Sequence, residues 1–152
     1  AVGTVPDVAS YQLVEFDPGV GWFTVYVDDG ADVVNPATLS AVDTALRNSK
    51  ALGIAYKVKP MVKQFVDMEI QLRIDGNYPA QPIIDTAKTT IRNTLAAYNF
   101  GDELTLAQII AACKGPNSNG VIDVNIIAPT ANVVPNASTA LRAGALFIKA
   151  FV

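Results

Sequence analysis

The sequence predicts an α+β fold in which helices pack on mainly antiparallel sheets, and three observations predict it. Extended, β-rich runs pair off at both ends of the chain; amphipathic stretches with helix-start signals lie between them; and the stretch from Val66 to Asp75 alternates apolar and polar residues without a break. The expected order is β-β-α-β followed by β-α-α-β-β, divided into two small subdomains, residues 1–60 and 61–152, with a single compact unit as the alternative. No internal repeat at a solenoid period is present.

Val8 to Phe16 and Gly21 to Val27 read as a hairpin, because Asp17-Pro18-Gly19-Val20 between them favours a tight reversal. In the second run Phe23, Val25 and Val27 fall on one face and Trp22, Thr24 and Tyr26 on the other, so both faces are expected to be covered. Asp28-Asp29-Gly30 ends that strand. Asn35-Pro36 starts the first helix: asparagine caps the free amides, and proline at the first helical position gives up a donor that has no partner there anyway. Leu39, Val42 and Leu46 follow at helical spacing, with Gly53 as the expected stop.

The stretch from Ala55 to Asp75 is expected to break near Pro60, since proline cannot donate to a central ladder. Beyond the break, Val66, Met68, Ile70, Leu72 and Ile74 alternate with Asp67, Glu69, Gln71, Arg73 and Asp75, which describes a half-buried strand. Gly76-Asn77-Tyr78-Pro79 closes it. A second helix is expected from Pro82, with Ile84, Ala87, Ile91, Leu95 and Tyr98 as its apolar stripe and Gly101 as its stop. Thr105 and Gln108 form a capping box for a third helix, with Leu104 and Ile109 as the hydrophobic staple and Leu106, Ile109, Ile110 and Cys113 as its buried face. After the turn-rich Gly115 to Gly120, strands are expected at Val121 to Ala128 and Ala140 to Phe151, joined by the connector Pro129 to Ser138.

Composition removes whole classes of chemistry. The 152 residues contain no histidine and one cysteine, so there is no imidazole base, no His-ligated zinc and no internal disulfide. With 51% hydrophobic and only 16% charged residues the chain is expected to fold. A net charge of −3, with few and dispersed lysines and arginines, argues against nucleic-acid binding. No apolar run approaches the roughly 18 to 20 residues that cross a bilayer, so no membrane insertion is expected. The first residues lack both an initiator methionine and the pattern of a secretory signal, which suggests a processed chain or a fragment.

The candidate sites each have a plainer reading. Asp28, Asp29 and Asp32 lack the ligand spacing of an EF-hand and read as a solvated strand end; no metal is expected. Asp67 and Glu69 read as the wet face of a strand rather than an acid and base pair. Gly115 to Gly120 lacks the Lys-Ser or Lys-Thr of a phosphate-binding loop. Cys113 reads as a small core residue and Asp102-Glu103 as partners of a helix dipole. No catalytic residue, metal or cofactor is expected. The positive feature is apolar: Phe16, Trp22 and Tyr26, on strands whose opposite face is already buried, form a candidate contact surface beside the alternative of a two-sided core.

The run Gly21-Trp22-Phe23-Thr24-Val25-Tyr26-Val27-Asp28-Asp29-Gly30, the helix after it, and Tyr56-Lys57-Val58-Lys59-Pro60 leading into the alternating strand resemble the baseplate J-like family of contractile-tailed bacteriophages. Phe100-Gly101-Asp102-Glu103-Leu104, the short helix that follows, and Gly120-Val121-Ile122-Asp123-Val124 extend the resemblance over most of the chain. The chain departs from the family's Arg-Pro-x-Gly step after the first helix, having Asn48-Ser49-Lys50-Ala51-Leu52-Gly53 instead. The resemblance implies a structural protein of the baseplate wedge in a virion tail, without enzymatic activity, that associates with copies of itself and with other baseplate proteins during assembly and sheath contraction. Family members are longer, so it further implies a C-terminal portion or a minimal relative. A carbohydrate- or receptor-binding module of the virion is the competing reading, since Trp22, Tyr26 and Tyr78 are of the type that stacks on sugars.

Overall fold

The computed structural model describes residues 1–50, 53–117, 120–137 and 139–151. Ala51-Leu52 of the departing step, Ser118-Asn119 of the turn-rich loop and Ser138 of the connector lie outside the described residues. The fold is α+β, in the element order expected, and divides into two compact units, Ala1–Val62 and Lys63–Val152.

In the first unit β1 (Ser10–Glu15) and β2 (Trp22–Asp28) pair antiparallel in a register running from Ser10 opposite Asp28 to Glu15 opposite Phe23. The chain then turns on its aspartates. Asp28 Oδ1 accepts from the Gly30 amide at 2.9 Å, Asp29 Oδ1 from Ala31 at 3.0 Å, and Asp29 Oδ2 from Asn35 at 2.7 Å. These carboxylates therefore shape the entry to α1 (Pro36–Ser49), whose first free amides are capped by Asn35, Oδ1 accepting from Ala37 at 2.9 Å. The helix ends four residues before Gly53, whose φ of +86° serves the turn into the next strand instead of the helix stop.

β3 (Ala55–Pro60) lies parallel to β2, and α1 supplies the crossover that a parallel pair requires. This pairing departs from the otherwise antiparallel expectation. The sheet order is β1-β2-β3, so Pro60 sits at the end of an edge strand, where its missing N–H is tolerated. Val25, Val27, Val42 and Leu46, with Val2 from a short 3-10 turn, form the core between sheet and helix.

In the second unit β4 (Val62–Ile74) is central, with β5 (Val121–Ala128) antiparallel on one side and β6 (Thr139–Phe151) on the other. Val66, Met68, Ile70, Leu72 and Ile74 are all buried, as the alternation requires, beneath α2 (Ala80–Ala96) and α3 (Leu106–Lys114). Helix α2 starts two residues earlier than expected and ends at Ala96, so Tyr98 follows the helix and Gly101 lies five residues beyond its end. Its terminal carbonyls are held by Arg142, whose Nη1 donates to Leu95 O at 3.1 Å and Tyr98 O at 2.9 Å. Arginine here does the work expected of glycine.

The capping box at Thr105 and Gln108 is present, and both staple residues, Leu104 and Ile109, are buried in one cluster. The buried face of α3 differs: it consists of Ile109, Ala112 and Cys113, while Ile110 is exposed. Asp102 also differs from the dipole reading, since its carboxylate accepts from the Asn99 amide at 2.8 Å and fixes the loop between the helices. Leu104 and Val133 exchange backbone hydrogen bonds of 3.0 and 2.9 Å, tying the connector to the α3 entry.

Candidate interface on the first sheet

The three apolar candidates have different environments. Tyr26 is the exception to a contact surface: it is only 8% exposed, and its hydroxyl donates to Asp17 Oδ2 at 3.0 Å. The adjacent Thr24, fully buried, donates to the Asp17 carbonyl at 2.9 Å. The hairpin turn thus folds over the second face of β2 and closes it with polar groups, which satisfies the hydroxyls that burial would otherwise strand. The hydrogen bond from Tyr26 holds the Asp17 carboxyl below its ordinary value of 3.8, while burial and the same carboxylate push the Tyr26 phenol up.

Phe16 and Trp22 remain at the surface, 67% and 39% exposed. Phe16 follows the last residue of β1 with φ of +61°, a backbone conformation that glycine or asparagine adopts far more readily than a bulky residue. Both side chains border an open hollow of about 420 Å³ whose lining also includes Leu13, Glu15, Phe23 and Ile54. The hollow's remaining apolar walls come from residues that sequence reasoning passed over. Leu13 stands opposite the buried Val25, yet it is 50% exposed, because α1 packs against β3 at the other edge of the sheet.

The basic side chains on β3 lie over aromatic rings of β2. Lys57 Nζ is 5.4 Å from the centre of the Trp22 ring and Lys59 Nζ is 5.8 Å from that of Tyr26. A sugar stacking on Trp22 would compete with Lys57 for the ring face.

The groups with chemical potential elsewhere are used structurally. Asp67 Oδ1 accepts from the Ala145 amide at 2.8 Å and joins β4 to β6. Cys113 is buried in the core, and desolvation pushes its thiol up to about 11, which keeps it protonated and unreactive at neutral pH. Among the described residues no group of three or more acidic or thiol side chains is placed to hold a metal ion, and no helix is long and apolar enough to cross a membrane.

No protein-family model and no curated protein matches this sequence. The chain is similar to one in the cryo-EM structure of the anti-feeding prophage baseplate, determined with sixfold symmetry, at a TM-score of 0.62 over 96% of its own length. The two are 15% identical, so the likeness is one of fold, and this chain spans 35% of the length of that one.

Proposed function

We propose that this chain is a structural component of a phage-like tail baseplate, belonging to the wedge and working by protein-protein association during assembly and sheath contraction. The observation that carries the reading is the fold likeness to the anti-feeding prophage baseplate chain, which extends over nearly the whole chain. The baseplate J-like resemblance of the sequence points the same way. The chemistry agrees with a part that has no reaction to perform: the lone thiol is buried and Asp67 is taken up in a backbone contact.

Its partners in this reading are other baseplate proteins and further copies of itself, and its place is the tail baseplate. Phe16 and Trp22, at the apolar hollow, supply the contact surface, while Tyr26 is buried. Such contacts transmit motion when an interface has two packed arrangements and the subunit moves as a rigid body. The test is deletion of the reading frame, followed by electron microscopy of the particles and co-purification. Particles lacking an assembled baseplate, restored by the wild-type chain and bound by it, are expected. Normal contractile particles without this chain would overturn the proposal.

A further inference from the structure

The two edges of the first sheet are built differently. β3 carries Lys57 and Lys59 and ends in Pro60, the residue types that keep an edge strand from pairing with another chain. β1 has no lysine, arginine or proline between Ser10 and Glu15, and it exposes Tyr11 by 51% as well as Leu13. The Phe16 amide donates to the Trp22 carbonyl at 2.9 Å, so in this antiparallel ladder the even-numbered residues of β1 bond to β2. The N–H and C=O groups of Tyr11, Leu13 and Glu15 point to the open edge.

We infer that this edge pairs with the same edge of a second copy, antiparallel about a two-fold axis through Leu13. The inference rests on the association reading above and names the surface used. Leu13 then faces Leu13, and Tyr11 of each copy faces Glu15 of the other. That register gives every exposed side chain a complement. The Tyr11 ring arrives at the mouth of the hollow that Leu13, Glu15, Phe16 and Trp22 line, with its hydroxyl beside the Glu15 carboxylate. Glu15 makes no hydrogen bond or ion pair among the described residues. Shifting the register by two residues would set Glu15 against Leu13 or Ala9, neither of which has a side-chain donor. The two Glu15 carboxylates, four residue steps apart along the pair, are separated by roughly 13 Å and repel little in physiological salt. The result is a closed, self-complementary interface that joins two three-stranded sheets into one of six strands.

Sedimentation equilibrium of the full chain, beside far-UV circular dichroism, tests this. The wild type is expected to dimerise, and Leu13→Lys, which places on β1 the guard that β3 carries, to weaken the dimer at least about tenfold with the fold unchanged. Leu13→Cys tests the register independently. Directly opposed residues of a hydrogen-bonded antiparallel pair have Cα atoms about 5.5 Å apart, within disulfide reach. Mild oxidation should link the Leu13→Cys dimer covalently and link Tyr11→Cys far less, with buried Cys113 silent. A wild type that stays monomeric at millimolar concentration overturns the inference, as does a dimer that ignores Leu13→Lys or fails to cross-link through Leu13→Cys. A monomer that binds another tail protein through β1 also overturns it, assigning the edge to that partner while leaving the baseplate reading intact. A cross-linked dimer whose removal leaves particles normal sinks the baseplate reading alone.

Discussion

The two sheets solve the same burial problem in opposite ways. β4 is buried on one face, beneath α2 and α3, and wet on the other, where Glu69 and Arg73 are exposed. β2 is buried on both faces along most of its length, by α1 on one side and by the hairpin turn on the other. A helix covers a sheet with apolar area, and the stripe at helical spacing announces it. A turn covers it with individual hydrogen bonds, and a single aspartate, Asp17, serves both Thr24 and Tyr26. The first solution is tolerant and thick; the second depends on a few atoms.

The contrast can be broken most forcefully at the centre of the second sheet. Leu72→Ala removes a fully buried side chain beneath two helices and should cost about 2–5 kcal/mol by chemical denaturation. Next is Gly144→Ala, where a Cβ would run into the Asp67 carboxylate and the Val66 backbone. A loss of about 1–3 kcal/mol is expected, partly recovered by adding Asp67→Ala, which removes the side-chain part of the clash. Thr105→Ala opens the capping box of α3 and should cost about 1 kcal/mol.

The smallest effect belongs to the first sheet's polar cover and is seen through pH. The hydrogen bond from Tyr26 lowers the Asp17 carboxyl from 3.8, so its contribution is present above that value and is lost as pH falls through the lower, folded-state value. Asp17→Asn should flatten the stability profile in that acid range, lowering stability slightly at neutral pH and leaving it almost unchanged at the acid end, read by chemical denaturation at a series of pH values.

How much of this was legible follows from range in sequence. Asn35-Pro36 and Thr105 with Gln108 marked two helix starts because capping is settled within three or four residues. The alternation from Val66 to Ile74 marked the strand because side-chain direction has period two. Helix ends were missed: α2 is closed by Arg142, 46 residues after Ala96, and no local signal carries that contact. The buried face of α3 was set one residue wrong because Ile110 outranks Ala112 in hydrophobicity, while position in the packed layer decides. At the candidate interface, Phe16 and Trp22 were readable as large apolar residues near a turn. Leu13 and Ile54 were not, since their exposure depends on where α1 comes to rest. Tyr26 was misplaced because nothing near it in sequence foretells that Asp17 folds back on it.

One trait runs through all three helices. None has an acidic residue in its first turn, and the ion pair between Arg47 and Asp43, at 2.8 Å, lies on the exposed side of α1. Dissolved ions screen charge and leave apolar area and amide caps largely untouched. The stability of the fold should therefore change little between dilute buffer and moderate salt, since its helix starts lean on apolar area and amide caps instead of on charge.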